Sequence, residues 1–188
     1  SLEKNSAAFK NAVEIKKKNF DDAEEFYNSN SFQLEKYPEA GDSNTIGKTK
    51  SAVYAFFVKK PKEHVDEILT AIHNIKTNQK DNYFPKVNTD CKEAFKENGC
   101  LYIGSVTSET LEERIKQHWR EKNNDVSNKT YALKICDWII DAKINKEDIT
   151  VYYCDMTGQK GDIIRIIEDC LATMYCPLLG KRGDSPKG

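Results

Sequence analysis

The stretch Cys-Leu-Tyr-Ile-Gly at residues 100–104 is the part of the sequence that best indicates the fold, because it is a short apolar run around a tyrosine. Asn98-Gly99 comes directly before it, and this dipeptide is a typical turn or helix-stop signal. Short apolar runs bounded by such signals are typical of buried strands. We therefore predict a strand over residues 100–104.

Two further strands and several helices surround this stretch. Residues 52–58 and 149–154 are apolar runs rich in β-branched and aromatic residues, and we predict a strand in each. The amphipathic pattern of Val65, Ile68, Leu69, Ile72 and Ile75 predicts a helix, and a short helical segment follows before Asn98. Later helices are expected from a cap at Thr107 or Ser108 to about Glu121, over residues 131–141, and over residues 161–175.

The N-terminal part has a different character. Residues 1–30 mix charges with apolar side chains at loosely helical spacing, which predicts one or two helices. Breaker residues between Pro38 and Gly47 then predict a loop or linker. We therefore expect an N-terminal helical arm and linker over residues 1–50. A domain follows over residues 51–188, with an insertion at 59–99 and the element order of a small three-stranded α+β layer.

Composition removes several classes of protein. The 188 residues are 38% hydrophobic and 31% charged, as in an ordinary globular protein. No apolar run approaches the roughly 20 residues of a membrane span, and we expect no secretory leader. The six cysteines show neither C-x-x-C pairs nor histidines at zinc spacing, so we expect buried reduced thiols. We accordingly expect an intracellular, cytoplasmic protein with no membrane partner.

The net charge of −1 gives no overall attraction to a polyanion, so any contact with DNA needs a local basic patch. One candidate is the helix surface with Lys116, Arg120 and Lys122, and another is the glycine-rich tail with Lys181 and Arg182. The structural alternative is a solvated helix face and a frayed terminus.

Candidate functional residues lie on the predicted helices and strands. Arg114 and His118 are one helical turn apart beside an apolar face, although such a basic pair is commonly solvated surface. Glu168 interrupts an apolar helix face, where a carboxylate needs either a partner such as Arg165 or a metal ion such as Mg²⁺. Tyr54 and Tyr102 lie inside apolar strands, where a tyrosine is often core filler.

The order of these residues resembles that of the GIY-YIG nucleases. Val53-Tyr54-Ala55 stands for the first motif of that family, and Tyr102-Ile103-Gly104 matches the second. Arg114, His118 and Glu168 then follow in the family's order. The resemblance covers residues 51–180 and leaves the N-terminal arm unmatched.

This resemblance implies a metal-dependent phosphodiesterase that acts on DNA, with a three-stranded antiparallel sheet flanked by helices. Tyr102 would be the general base and Tyr54 would position the attacking water or the phosphate. Arg114 would hold the scissile phosphate, and His118 would assist at the phosphate or the leaving group. Glu168 would bind a single divalent cation, Mg²⁺ or another such as Mn²⁺.

Three departures from the family pattern accompany the resemblance. The first motif lacks its glycine, and residues 59–99 replace the short hairpin that usually joins the two motifs. The family's terminal Pro-x-x-Asn is present as Pro177-Leu178-Leu179-Gly180, without the asparagine. A compact chain without a separate DNA-binding module is most similar to restriction-type members, which act as homodimers on duplex DNA. The alternatives are a homing or repair nuclease, or a module that binds nucleic acid or protein without cutting.

Overall fold

The computed structural model describes residues 2–38, 46–78, 83–120 and 130–181. Within these ranges the α-helices are α1 (Leu2–Asn28), α2 (Pro61–Asn78), α3 (Lys92–Asn98), α4 (Leu111–Trp119) and α5 (Gly161–Tyr175). The strands are β1 (Glu35–Lys36), β2 (Ala52–Val58), β3 (Cys100–Val106) and β4 (Ile149–Asp155). Short 3₁₀ turns lie at Ile46–Lys48, Thr89–Cys91, Ile135–Asp137 and Lys146–Asp148.

The described strands form one antiparallel sheet in the order β1-β4-β2-β3, so the prediction of an α+β fold is confirmed. The expected three strands are present, but the sheet has a fourth, because β1 pairs with β4 through Glu35 opposite Tyr153. This strand is two residues long and polar, so it carries no apolar alternation that sequence analysis detects. The strand β3 lies at the other edge of the sheet.

Alternating side chains of β2 divide the core into two layers, one on each face of the sheet. Tyr54 and Phe56 point to what we call the tyrosine face, which packs against α2, α4 and the segment 132–144. Val53 and Ala55 point to the opposite face, which packs against α5 and the end of α1. Both faces of β2 are buried, which explains why its sequence is apolar throughout.

The predicted insertion between the first two long strands contains α2 and α3. The prediction that Asn98-Gly99 ends a helix is confirmed, because Gly99 follows α3 with a φ of +72°. A Cβ atom at this position would lie 2.4 Å from the carbonyl oxygen of Val58. Both the backbone conformation and the close approach therefore require glycine.

Helix α4 begins later than the sequence predicted. Its N-cap is Thr110, and the expected caps Thr107 and Ser108 lie in the preceding turn. The Thr110 side chain accepts a hydrogen bond from the Glu113 backbone, while the Glu113 carboxylate accepts one from the Thr110 backbone. This reciprocal pair satisfies two N-terminal donors, which explains why it determines the start of the helix.

The helix predicted over residues 131–141 is wrong. The segment contains the 3₁₀ turn Ile135–Asp137 and further turns, and Lys134 has a φ of +50°. The backbone N–H of Leu133 donates to His118, and the indole of Trp138 donates to the Leu133 carbonyl oxygen. These contacts hold the segment in a series of turns and bury its apolar side chains. The helical spacing of those side chains therefore did not indicate a helix.

The expectation that all cysteines are reduced is also wrong. Cys91 and Cys176 form a disulfide with their Cα atoms 5.4 Å apart. Cys100 and Cys154 are buried thiols, as expected, whereas Cys170 is exposed. A bond between residues that are 85 positions apart leaves no local sequence signal.

The N-terminal residues form one long helix, α1. Ala23, Phe26 and Tyr27 near its end pack with α5 on the opposite face of the sheet. None of the helices among the described residues combines the length and apolar character that a membrane span requires. Most of the predicted linker, residues 39–45, lies outside the described residues.

Candidate active site

The site begins with two tyrosines that neighbouring strands bring together. Tyr54 on β2 and Tyr102 on β3 point to the tyrosine face, with their ring centroids 6.3 Å apart and their planes inclined by 28°. Gly104 pairs with Tyr54 in the sheet. A Cβ atom at Gly104 would lie 2.5 Å from the Tyr54 hydroxyl and 2.9 Å from the Tyr102 ring. The glycine of the Tyr-Ile-Gly motif is therefore required for the two rings to approach.

Helix α4 places Arg114 and His118 at these rings. Leu111 and Ile115 on the same helix are buried in the core layer of the tyrosine face, and this fixes the rotation of the helix. Arg114 Nε donates to Tyr54 Oη at 3.1 Å, and His118 Nε2 lies 2.9 Å from the same oxygen. The expected basic pair is thus directed inward at a tyrosine.

His118 is fully buried, and both of its ring nitrogens are engaged. Its Nδ1 accepts a hydrogen bond of 3.0 Å from the Leu133 backbone N–H, so Nε2 carries the proton and donates to Tyr54. Burial and the charge of Arg114 hold the pKa of His118 well below its ordinary value. The ring is therefore neutral. His118 meets the site through its hydrogen bond with Tyr54 and through the Tyr102 ring, whose centroid lies 4.8 Å from its own. Its expected contact with a phosphate or leaving group stays a prediction.

Arg114 is held on several sides. Beyond Tyr54, its Nη1 donates to Gln117 Oε1 at 2.8 Å and its Nη2 to the Tyr131 carbonyl oxygen at 3.3 Å. Glu109 Oε1 lies 3.8 Å from Nε, and 15% of the Arg114 side chain is exposed. These three hydrogen bonds use three of the five N–H groups, so a phosphate can bind the second N–H of Nη1 or Nη2 or replace the Tyr131 carbonyl, whose hydrogen bond is the longest of the three.

The phenols of the two tyrosines are neutral in this environment. Burial and the neighbouring Tyr102 raise the pKa of Tyr54 well above its ordinary value, although Arg114 lowers it. Burial also raises the pKa of Tyr102, and Arg114 opposes this shift through its charge and a hydrogen bond. Tyr102 is the more exposed of the two. It is therefore the phenol that a ligand would reach first.

Glu168 approaches from the helix on the opposite face of the sheet. The Ser105 hydroxyl of β3 donates a hydrogen bond to Glu168 Oε2. The alternative partner, Arg165, pairs instead with Asp162 at 3.5 Å. Burial raises the pKa of Glu168, while Ser105 and Lys181 lower it. This partly buried carboxylate therefore accepts a hydrogen bond from a neutral hydroxyl, and the charges of Lys181 and Arg165 favour its ionised form.

The five predicted residues meet at the edge strand β3. Four of them, Tyr54, Tyr102, Arg114 and His118, form one connected cluster on the tyrosine face. Glu168 lies across β3, but its charge raises the pKa of both tyrosines, so it acts on the same cluster. The arrangement brings a guanidinium and two phenols to one face of the sheet at its β3 edge, and a carboxylate to the other face of the same strand.

The donor set near Glu168 limits the kind of cation it would hold. The described residues contain no group of three or more His, Cys, Asp or Glu side chains that could bind a metal ion. Glu168 and Ser105 supply one carboxylate and one hydroxyl. Mg²⁺ keeps several waters and is held by one or two carboxylates with substrate phosphates, so these residues fit that class of site.

The terminal Pro177–Gly180 segment packs against Tyr102. Gly180 has a φ of +88°, and a Cβ atom there would lie 2.6 Å from Cε2 of the Tyr102 ring. The asparagine of the family pattern would not fit at this position without moving the tyrosine.

An asparagine from the insertion supports this segment instead. The buried Asn88 donates from Nδ2 to the carbonyl oxygens of Pro177, at 2.9 Å, and Gly180, at 3.0 Å. Its backbone N–H donates to the Leu178 carbonyl oxygen. Sequence analysis missed Asn88 because it lies in a polar stretch without periodicity, and it missed Ser105 because one strand serine gives no signal.

The residues predicted to contact DNA are paired with acidic side chains. Lys116 pairs with Glu112, and Lys181 pairs with Asp169. Arg120 lies 2.8 Å from a carboxylate oxygen of Asp137. Lys122 and Arg182 lie outside the described residues. Any phosphate contact by the three described residues would compete with an existing ion pair.

The comparisons with known proteins give no relative. The chain matches no protein-family model, no curated protein and no solved structure. The resemblance to GIY-YIG nucleases therefore rests on the motif residues of the sequence alone.

Proposed function

We propose that this protein is a metal-dependent DNA endonuclease that hydrolyses phosphodiester bonds. The observation that carries the proposal is the convergence of Arg114 and His118 on Tyr54, beside Tyr102 and across β3 from Glu168. Structural core tyrosines need no buried arginine, and a guanidinium beside two phenols is costly to desolvate. A buried guanidinium is expected in a site for phosphoryl transfer, because that reaction needs a positioned positive charge to stabilise the phosphate.

Tyr102 and Arg114 would act on the substrate. Arg114 would exchange the Tyr131 carbonyl for an oxygen of the scissile phosphate and would stabilise its developing charge. Tyr102 would accept the proton of the attacking water as a general base. Its raised pKa makes it a poor base by itself, so it depends on the positive charge of Arg114 and of a bound cation.

His118 and Tyr54 are positioning residues in this proposal. The neutral imidazole fixes the Tyr54 hydroxyl, and this hydroxyl accepts the Arg114 Nε–H. Loss of the imidazole would therefore displace Arg114 and Tyr54 together, without removing a group that touches substrate.

A divalent cation would bind at Glu168, with Ser105 orienting the carboxylate. When bound, Mg²⁺ or another divalent cation such as Mn²⁺ would lower the pKa of a coordinated water and neutralise phosphate charge. The raised pKa of Glu168 in the present surroundings is the opposite of what an ionised ligand needs. A nearby cation would reverse this shift because it favours the carboxylate.

One contact bears on the class of nuclease. The insertion holds the segment that packs against Tyr102, so it supports the candidate site directly. This favours a restriction-type endonuclease that acts on duplex DNA as a homodimer. A homing or repair nuclease is the alternative within the same chemistry.

A second candidate function is a module that binds nucleic acid or protein without cutting it. The observation that favours it is that Arg114 donates hydrogen bonds to Tyr54, Gln117 and Tyr131 within the protein. A guanidinium held in this way stabilises the fold even when no phosphate is bound. In this case Tyr54, Tyr102 and His118 form a structural core.

A plasmid assay distinguishes the candidates. Supercoiled DNA is incubated with the protein in MgCl₂ or in EDTA, and we expect cleavage only with the metal. Tyr102→Phe and Glu168→Gln should abolish it, whereas the controls Tyr152→Phe and Asp162→Asn should retain it. Tyr152 lies on β4 and Asp162 lies in the first turn of α5, so each control makes the same kind of substitution, phenol to phenyl or carboxylate to amide, away from the candidate site.

The outcomes are separable. Discrete fragments indicate a restriction-type enzyme, and nicking or a smear indicates a homing or repair type. Intact DNA with a gel shift supports the binding module. Cleavage that survives both Tyr102→Phe and Glu168→Gln contradicts the assignment of the site.

A further inference from the structure

Two tyrosines outside the cluster of candidate site residues lie beside it at the protein surface. Tyr83 belongs to the insertion and Tyr131 precedes the segment 132–144, and their ring centroids are 5.5 Å apart. The exposed fractions of Tyr83 and Tyr131 are 38% and 58%. Single exposed aromatic residues are ordinary, but two that touch each other form a continuous exposed π surface. We call this pair the aromatic platform.

The aromatic platform is joined to the candidate site through Arg114. The carbonyl oxygen of Tyr131 accepts a hydrogen bond from Arg114 Nη2 at 3.3 Å, and this contact is exposed. Only the Cα and Cβ atoms separate that carbonyl group from the Tyr131 ring. A phosphate bound to the guanidinium of Arg114 would therefore bring the nucleotide attached to it close to the Tyr131 ring.

Both tyrosines are held in place through their backbones. Arg114 holds the carbonyl group of Tyr131, and the buried Lys134 donates from Nζ to the Tyr83 carbonyl oxygen at 2.8 Å. Phe84, which follows Tyr83, is buried in the core layer of the tyrosine face. Because a fixed backbone presents the two rings, little chain entropy is lost when a flat ligand stacks on them.

The same segment of the insertion reaches the other side of the candidate site. The Lys86 carbonyl oxygen accepts a hydrogen bond from the Gly180 backbone N–H at 2.7 Å, and Gly180 packs against Tyr102. The Lys86 side chain is exposed. Aromatic rings beside exposed cations are typical of surfaces that bind unpaired nucleic acid, because the rings stack on bases and the cations attract the backbone.

We propose that the aromatic platform stacks on an unpaired nucleobase of the nucleic acid whose phosphate Arg114 binds. A tyrosine ring stacks on any base, because every base has a π face, so the platform selects the unpaired state of the base and not a sequence. The base belongs to a single strand or is turned out of a duplex, since a paired base inside a helix exposes only its edges. The proposal rests on the proposed function because it needs a nucleic-acid phosphate at Arg114.

The test measures binding in EDTA, so it does not depend on cleavage. Fluorescence anisotropy gives the dissociation constants of two labelled single strands of about eight nucleotides, oligothymidine and an abasic strand with the same phosphates. We expect oligothymidine to bind at least about fivefold more tightly than the abasic strand. Tyr131→Ala should remove this difference, whereas Tyr131→Phe keeps the ring and should retain it.

The controls separate loss of the ring from loss of the fold. Tyr131 is exposed and each variant keeps its backbone carbonyl group, so the contact with Arg114 should remain, and circular dichroism checks the fold. Phe9→Ala removes a 71% exposed ring on α1, away from the candidate site, and should bind both strands like the wild type.

A fully paired duplex identifies the source of the base. If Tyr131→Ala weakens binding of the duplex as well as of oligothymidine, the base is turned out of the helix. If it weakens binding of oligothymidine alone, the ligand is a single strand. Both results support the aromatic platform.

Three results would overturn the proposal. They are equal binding of the two strands by the wild type, a Tyr131→Ala variant that keeps the preference for oligothymidine, and no binding of either strand, which would favour a protein ligand. Failure of the nuclease proposal is distinct from these results. A plasmid that stays intact in MgCl₂, together with a preference for bases that requires Tyr131, removes the nuclease and leaves the platform.

Discussion

At the scale of single residues, the candidate site depends on protonation states that burial sets. His118 is neutral because its Nδ1 already accepts a backbone N–H and because desolvation and Arg114 lower its pKa. Glu168 is shifted in the other direction, since its partial burial favours the protonated carboxyl. These opposite shifts give stability profiles whose slopes with pH have opposite signs.

His118 should make the protein less stable in mild acid. The unfolded chain binds a proton at this histidine below about pH 6.5, whereas the folded state resists it. The contribution is therefore fully present above that pH and is lost as the pH falls. We expect the melting temperature of wild type to fall more steeply than that of His118→Gln between about pH 7.5 and about pH 5.5. The exposed His73→Gln is the control and should follow the wild type.

Glu168 should lower stability at neutral pH. Its raised pKa means that the folded state binds its proton more tightly than the unfolded chain, so stability declines as the pH rises above about 4.3. We expect Glu168→Gln to melt a few degrees above the wild type at neutral pH, with a gap that narrows as the pH falls. Added Mg²⁺ should raise the melting temperature of the wild type and leave that of Glu168→Gln unchanged. A variant that melts below the wild type at neutral pH would show that the ionised carboxylate is stabilising.

At the scale of elements, the long strands and the last helix were predictable because their apolar runs are continuous. The match of residues 161–175 to α5 illustrates this. The segment 131–141 was not predictable, because its apolar residues follow turns that tertiary contacts fix. Of the candidate site, the sequence predicted the five motif residues, and the structure brings them together around β3, while their roles stay predictions. The inward direction of His118 and the support from Asn88 were not predicted, because both depend on contacts distant in sequence.

The cap of α4 supports the site from outside it. Thr110→Ala removes the side-chain acceptor of the helix and should lower the free energy of unfolding by about 1 kcal/mol. Urea denaturation measures this difference. Ser108→Ala changes the cap that the sequence predicted and should be close to neutral. If Ser108→Ala were the more destabilising substitution, the capping assignment would be incorrect.

Asn88 should couple the insertion to Tyr102. Asn88→Ala leaves the carbonyl oxygens of Pro177 and Gly180 without their donor, which should cost about 1–3 kcal/mol. Because Gly180 packs against the Tyr102 ring, we expect DNA cleavage to fall as well, measured at a temperature where the variant is fully folded. The exposed Asn78→Ala in α2 is the control. Unchanged cleavage by a destabilised Asn88→Ala would restrict this residue to a structural role.

At the scale of the whole molecule, the disulfide joins the insertion to the end of α5. The oxidised protein should present four thiols after denaturation, namely Cys100, Cys136, Cys154 and Cys170, and six after reduction. The double variant Cys91→Ser/Cys176→Ser should lose about 2–4 kcal/mol of stability, and Cys170→Ser should lose little. Six reactive thiols in the protein purified without reductant would show that the bond does not form. Such bonds are rare in the cytosol, so the same count bears on the expected cytoplasmic location.

The bond between Cys91 and Cys176 also closes the backbone into a ring. Tyr102, Arg114, His118 and Glu168 all lie within this ring, whereas Tyr54 lies on the strand outside it. A protease that cuts once inside the ring leaves the protein in one covalent piece until the bond is reduced. A cut between Tyr54 and Cys91 instead releases the first tyrosine from the other four residues. The covalent path of the chain thus separates Tyr54 from the other four residues, although β2 and β3 are neighbours in the sheet.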